Sequence, residues 1–186
     1  MSAALLLVAA CGGGGGNDDA GGEGGGEASK TVPAATWMGN FCTALDTWQT
    51  ELTDGAPDFS SLTDAESAKE TLVSYLDSIV AATGTLVTDI QAAGVPDVEN
   101  GEAIATEMRS AIASVGDDFA AAKAKVEALS IDDPAAFASG LTEVGTTLTD
   151  AGTAAGSTFD QLAEKYPAAD LDAAATEAAS CQTVLG

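Results

Sequence analysis

The chain has 186 residues, a formal net charge of −23 from 29 acidic and six basic residues, and no histidine. Nucleic acid is excluded as a partner, because neutralising phosphates requires clustered lysine and arginine. The lack of histidine removes Ser-His and Cys-His nucleophile pairs and imidazole metal ligands. So acidic a body would be repelled by anionic lipid head groups, and only a covalent lipid could hold it at a membrane.

A short apolar run at the start of the chain ends in a cysteine. Val8-Ala9-Ala10-Cys11 places one aliphatic and two small residues before that cysteine. The segment resembles the lipobox of bacterial lipoproteins. The resemblance implies a diacylglyceryl thioether on Cys11, cleavage before it, and a protein exported to the outer face of the cell membrane. The alternative is an incidental cysteine in a disordered tail.

Residues 1–10 resemble only part of a signal peptide, since the apolar run is short and has no basic residue. We therefore expect the start codon to lie upstream. Residues 11–35 combine the lipidated cysteine with a Gly-rich, acidic segment that lacks an apolar pattern. Such a segment predicts a flexible tether with a root-mean-square reach of roughly 25 to 30 Å.

Residues 36–186 are predicted to form one helical domain. Their apolar residues recur at spacings of three and four, which is typical of amphipathic helices and unlike a strand alternation. The five predicted helices cover about 37–52, 62–93, 104–129, 137–166 and 168–183. Asp133 followed by Pro134 predicts a helix N-cap with proline at the first helical position. The predicted fold is an all-α bundle of three long helices, with the two short terminal helices sharing its fourth side.

Cys42 and Cys181 fall near the middle of that shared side. With Cys11 lipidated, they are the two remaining cysteines of an exported chain, a setting in which disulfides persist. Counting about 1.5 Å of rise per helical residue places both near mid-height, with a difference of roughly 10 Å that the loops would have to absorb. We therefore predict a Cys42–Cys181 disulfide; the alternative is two buried thiols.

No catalytic, cofactor-binding or metal site is predicted. The chain contains no GxxxxGK[ST], GxGxxG or GxSxG motif. Residues 97–102 have the wrong ligand spacing for a calcium loop and favour a helix cap. Asp117 and Asp118 are interpreted as a solvated face. Gly152 and Gly156 have the small-x-x-x-small spacing that predicts a close helix crossing.

Two functions fit these features, and an enzyme is a distant third. The favoured one is a non-enzymatic envelope lipoprotein whose bundle is an interaction or scaffold module for an envelope protein. The alternative is a lipoprotein that binds a small apolar ligand or lipid between the helices, near Trp37, Trp48, Met108 and Phe119. The volume of any apolar cavity separates them, because ligand pockets usually exceed about 300 Å³ and packed cores have almost no voids.

The composition and the terminal Trp and Cys segments also resemble helical lipoproteins of high-GC Gram-positive bacteria. That resemblance implies a location and not an activity.

We predict that Cys11→Ala, expressed from the native start codon, moves the protein from the membrane fraction to the soluble fraction and removes lipid label. A variant that still sediments with membranes and carries undiminished label would contradict the lipoprotein interpretation.

Overall fold

The computed structural model describes residues 30–58 and 64–185, which form a helical bundle and confirm the predicted all-α class. The predictions for Cys11 and for most of the tether lie outside these residues. The elements in chain order are β1 (Thr31–Val32), α1 (Ala34–Asp54), α2 (Ala65–Ala92), β2 (Val95–Pro96), α3 (Gly101–Ala128), α4 (Pro134–Lys165), α5 (Ala169–Glu177) and α6 (Ala179–Leu185).

The long helices α2, α3 and α4 pack in chain order, α2 on α3 and α3 on α4. Helix α1 packs on α2, and α5 and α6 pack on α1, so the first and last helices are neighbours as predicted. In the described part of the chain, α2 alone is long and apolar enough to cross a membrane, and the core helix of a bundle has the same properties.

The terminal helices differ from the prediction in two details. The predicted fifth helix is divided into α5 and α6 at Ala178, whose extended backbone interrupts the helix. Helix α1 has 21 residues and begins beside the end of α2. The indole Nε1 of Trp37 donates a hydrogen bond of 3.0 Å to the carbonyl of Gly94 there, so α1 extends to the end of the bundle.

The folded body begins before residue 36, which corrects the predicted end of the tether. Strands β1 and β2 pair in parallel, and the amides of Val95 and Asp97 donate to the carbonyls of Lys30 and Val32. Gly94 precedes β2 with a φ of 86°, and a side chain there would collide with the Lys30 carbonyl. Two-residue strands are too short to show an alternating pattern, so no strand was predicted there.

The cap before α4 forms as predicted. The Asp133 carboxylate accepts hydrogen bonds from the amides of Ala135 and Ala136, and Pro134 is the first helical residue. Helix α3 begins differently, because Asn100 precedes it in the left-handed conformation without a side-chain cap. Residues 97–102 were predicted to cap this helix, but the Asn100 side chain forms no capping hydrogen bond.

The buried apolar side chains form two separate clusters. The first, here called the disulfide cluster, lies where α1 begins and α2 ends, and its larger members are Trp37, Met38, Phe41, Cys42, Leu86, Ile90, Ile104, Ile112, Leu171 and Cys181. The second, the distal cluster, contains Leu76, Ile79, Ala122, Val126 and Val144. The middle of the bundle lies between these clusters.

Cys42 and Cys181 form the predicted disulfide, with their Cα atoms 4.9 Å apart. Both residues are buried within the disulfide cluster. The bond joins α1 to α6 across 139 residues of sequence and closes the bundle covalently.

We predict that replacing both cysteines with alanine lowers the free energy of unfolding by up to about 5 kcal/mol, because the link restricts a long loop in the unfolded chain. Chemical denaturation should show the loss, and the wild-type protein unfolded under reducing conditions should match the variant. Equal midpoints for the variant and the oxidised wild-type protein would show that the bond contributes nothing.

Candidate ligand-binding site

The middle of α4 lacks large side chains. Residues 149–158 read TDAGTAAGST, with nothing bulkier than aspartate or threonine. The buried residues of α4 are Phe137, Val144 and Leu162, and none lies between Val144 and Leu162. Helix α4 is therefore packed near its two ends, and its central turns supply too little volume to fill the bundle.

A cavity of about 510 Å³ occupies the space opposite this segment. All four longer helices contribute to its wall, α1 with Trp48, α2 with Leu86, α3 with Met108 and α4 with Phe159. Its remaining large apolar residues are Phe41, Leu45, Ile112, Val115, Phe119 and Leu148. The cavity lies between the two clusters, since Trp48, Met108 and Phe159 pack on the disulfide cluster, and Phe119 and Leu148 on the distal one.

The polar groups of Trp48 and Thr83 do not make this wall polar. The Trp48 indole Nε1 donates to the Thr83 hydroxyl at 3.0 Å, and that hydroxyl donates to the Ile79 carbonyl at 2.8 Å. Each donor is satisfied within the protein. The cavity therefore offers a ligand mainly dispersion contacts and release of water from apolar surface. Asp118 is the only charged residue in its wall.

Three of the four residues predicted to surround a ligand line this cavity. Trp48, Met108 and Phe119 do so. Trp37 does not, because its ring stacks on Phe41 at 5.5 Å and is fully buried in the disulfide cluster. Trp37 is therefore a core residue. Trp48 packs on the core and also forms part of the cavity wall.

Gly152 and Gly156 do not mark a close helix crossing, which corrects the sequence prediction. A Cβ atom built on either glycine would meet no atom within 4 Å, apart from its own helix and chain neighbours. Both line the cavity. Small residues at a spacing of four permit two helix backbones to approach each other. Whether they do so depends on the larger residues elsewhere on the facing helices.

A second, more polar hollow of about 450 Å³ lies between α3 and α4. Its hydrogen-bonding residues are Glu107, Ser110, Ser114, Asp118, Thr158, Gln161 and Lys165. At one side of it the Glu107 carboxylate accepts hydrogen bonds of 2.7 Å from Lys165 Nζ and from the Tyr166 hydroxyl. The bonds from Lys165 and Tyr166 lower the pKa of Glu107, and the bond to Glu107 raises the pKa of Lys165.

Asp118 was not identified by the sequence as a site residue. It is half-buried and lines both hollows, whereas the adjacent Asp117 is exposed and lines neither. The available signal was its position three residues after Val115, at the border of the apolar stripe of α3. A border position is compatible with either a solvated or a buried carboxylate.

The cavity wall is apolar apart from Asp118 and the hydrogen-bonded Trp48–Thr83 pair, which suits the binding of an apolar molecule. The described ranges contain no group of three or more Cys, Asp or Glu residues that could hold a metal ion. Cys42 and Cys181 are joined in the disulfide. No protein-family model, curated protein or solved structure matches the chain. Function must therefore be inferred from the cavity.

We predict that Gly152→Ala stabilises the protein by about 0.5 to 1 kcal/mol, because alanine favours helix and the added methyl group has room. Gly145→Ala, also on α4 with no atom near its Cβ but outside the cavity wall, should give a similar gain. Gly140→Ala should gain less or lose stability, since its Cβ would collide with Leu129. Destabilisation by Gly152→Ala in thermal unfolding would indicate a close helix crossing.

Proposed function

We propose that this bundle binds an elongated apolar molecule, such as a lipid acyl chain, in the cavity between its helices. The cavity of about 510 Å³ is the observation that carries the proposal. Packed protein cores hold few voids larger than a water molecule, whereas ligand pockets measure about 300 to 1,000 Å³. The volume together with the almost wholly apolar wall therefore favours the ligand-binding alternative over a purely structural bundle.

The dimensions suit a hydrocarbon chain. Leu148 and Phe159, which both line the cavity, are separated by about 16 Å of helix at 1.5 Å per residue. Burying one methylene contributes about 0.8 kcal/mol, so a chain of roughly ten carbons gains about 8 kcal/mol. The loss of translational and rotational freedom offsets at least about 4 kcal/mol of this. The net gain is then at most about 4 kcal/mol, which corresponds to a Kd of about 1 mM or weaker before any contribution from a head group.

A second candidate, the acidic interaction module, is supported by the net charge of −23. Among the described residues Ile131 is the only exposed large hydrophobic side chain, so a protein partner would have to recognise charge and not an apolar patch. Such a partner would be basic, and its binding would weaken with added salt. Both candidates are non-enzymatic, and we assign no reaction to the chain.

The proposed location is the outer face of the cell membrane, with a lipid on Cys11. The lipobox resemblance of residues 8–11 supports it, and so does the Gly-rich sequence that follows. The Cys42–Cys181 disulfide agrees with an oxidising compartment outside the cytoplasm. A binding domain on a tether at this surface could exchange apolar ligands with the lipid bilayer.

We predict that Gly156→Leu weakens ligand binding by roughly tenfold or more, since excluding two methylenes costs about 1.6 kcal/mol. The probe is N-phenylnaphthylamine, an uncharged dye whose fluorescence rises in apolar surroundings, with displacement by dodecanol as confirmation. Gly145→Leu is the matched control, because Gly145 also has open space but does not line the cavity.

The wild-type protein and Gly145→Leu should bind the dye with equal affinity. Thermal unfolding should show that Gly156→Leu remains folded, so that weaker binding reports occupation of the cavity. A wild-type protein that shows no saturable dye binding, or equal binding by Gly156→Leu and Gly145→Leu, would contradict the proposal.

A further inference from the structure

The apolar cavity and the polar hollow meet at one place in the bundle. Val115 and Asp118 of α3 and Ala151 and Ala155 of α4 line both of them. The two alanines place only methyl groups between the hollows. An apolar compartment thus adjoins a polar one at the α3–α4 contact, which is the arrangement an amphipathic molecule needs.

Asp118 stands at this boundary with an unused carboxylate. It is half-buried, and no described residue forms a hydrogen bond or ion pair with it. Among the described residues no buried side-chain nitrogen or oxygen lacks a partner, so the Asp118 oxygens reach water, and water compensates their charge. A ligand group that donates hydrogen bonds could supply that compensation while its apolar part occupies the cavity.

Apart from Ser114 and Gln161, the other polar side chains of the polar hollow are already engaged within the protein. The hydroxyls of Ser110 and Thr158 donate to the carbonyls of Thr106 and Ala154, which leaves their oxygens as acceptors. The cation Lys165 is already bound by Glu107 at 2.7 Å. With Glu107 and Lys165 paired, Asp118 leaves the hollow with a net negative charge.

We propose that the ligand is a single-chain amphiphile whose hydrocarbon chain lies in the apolar cavity and whose head group lies in the polar hollow beside Asp118. The head group donates hydrogen bonds and carries no negative charge. Hydroxyl groups of a glycerol or sugar and an ammonium group share this chemistry. The proposal rests on the ligand-binding function proposed above, and it adds the selection of the head group.

An anionic head group is disfavoured at two levels. A carboxylate or phosphate beside Asp118 would face an unpaired like charge in a partly desolvated site, where Coulomb repulsion is stronger than in water. The net charge of −23 repels anions from the whole surface and slows their approach. Fatty acids and phospholipids with anionic heads should therefore bind less well than neutral or cationic lipids of equal chain length.

The test is isothermal titration calorimetry at neutral pH and physiological salt, with monolauroylglycerol, dodecylammonium and laurate below their micellar concentrations. These three share the same chain length and differ in the head group. Wild-type protein should bind monolauroylglycerol and dodecylammonium at least about tenfold more tightly than laurate, as expected for a hydrogen bond to a charged acceptor. The tighter of the two identifies which donor chemistry the hollow prefers.

Asp118→Asn should weaken dodecylammonium binding by about tenfold and leave laurate unchanged or tighter, because the charge is removed without loss of shape. Asp117→Asn is the matched control for total charge, since Asp117 is adjacent, exposed and outside both hollows. This control should keep the wild-type order of affinities. The wild-type series alone remains a test if the Asp118 variant does not fold.

Two results would overturn the head-group proposal while leaving ligand binding intact. One is laurate binding as tightly as the two donor amphiphiles. The other is an equal response to Asp118→Asn and Asp117→Asn, which would indicate a general effect of charge. Failure of all three amphiphiles and of the uncharged dye to bind would overturn the ligand-binding function itself.

Discussion

The size of the side chains in the middle of α4 is the constraint on which the site depends. Between Leu148 and Phe159 the helix carries only small residues, so it cannot fill the space opposite Trp48 and Phe119. A Cβ atom built on Gly152 would meet no atom of the facing helices within 4 Å, so the gap is open there. Packing at both ends of α4 and a lack of volume at its centre therefore produce the cavity together.

A bundle with an unfilled centre needs stability from elsewhere, and the disulfide cluster provides it. Trp37 connects the start of α1 to Gly94 at the end of α2, and the Cys42–Cys181 bond holds α6 against α1. A covalent link of this kind acts mainly by restricting the unfolded chain, so its effect does not depend on dense packing in the native state. The centre can then remain open without loss of the fold.

The sequence predicted most of what depends on local or periodic signals. The spacing of apolar residues predicted the helical bundle, and Asp133-Pro134 predicted the start of α4. The helix lengths and the number of cysteines predicted the disulfide. The cavity was predicted only as an alternative, from residues such as Trp48, Met108 and Phe119. Its volume could not be predicted, because that depends on how far apart the helices settle. The β1–β2 pair was missed for a related reason, since it joins Thr31 to Val95 through two short segments without a pattern. The position of Asp118 at the border of the two hollows could not be predicted either, because it depends on the packing of α3 against α4.

Charge connects the site to the rest of the molecule. The same excess of carboxylates that repels the body from anionic lipid surfaces also leaves Asp118 without a cation. If Cys11 carries the proposed lipid, the anchor and the acidic body act in opposite directions, one holding the protein at the bilayer and the other keeping the domain off its surface. A neutral or cationic amphiphile that leaves the bilayer would reach the domain without electrostatic repulsion. An anionic amphiphile would be repelled first by the acidic protein surface and then by Asp118. Selection of the ligand would therefore begin at the protein surface and be completed at a single carboxylate.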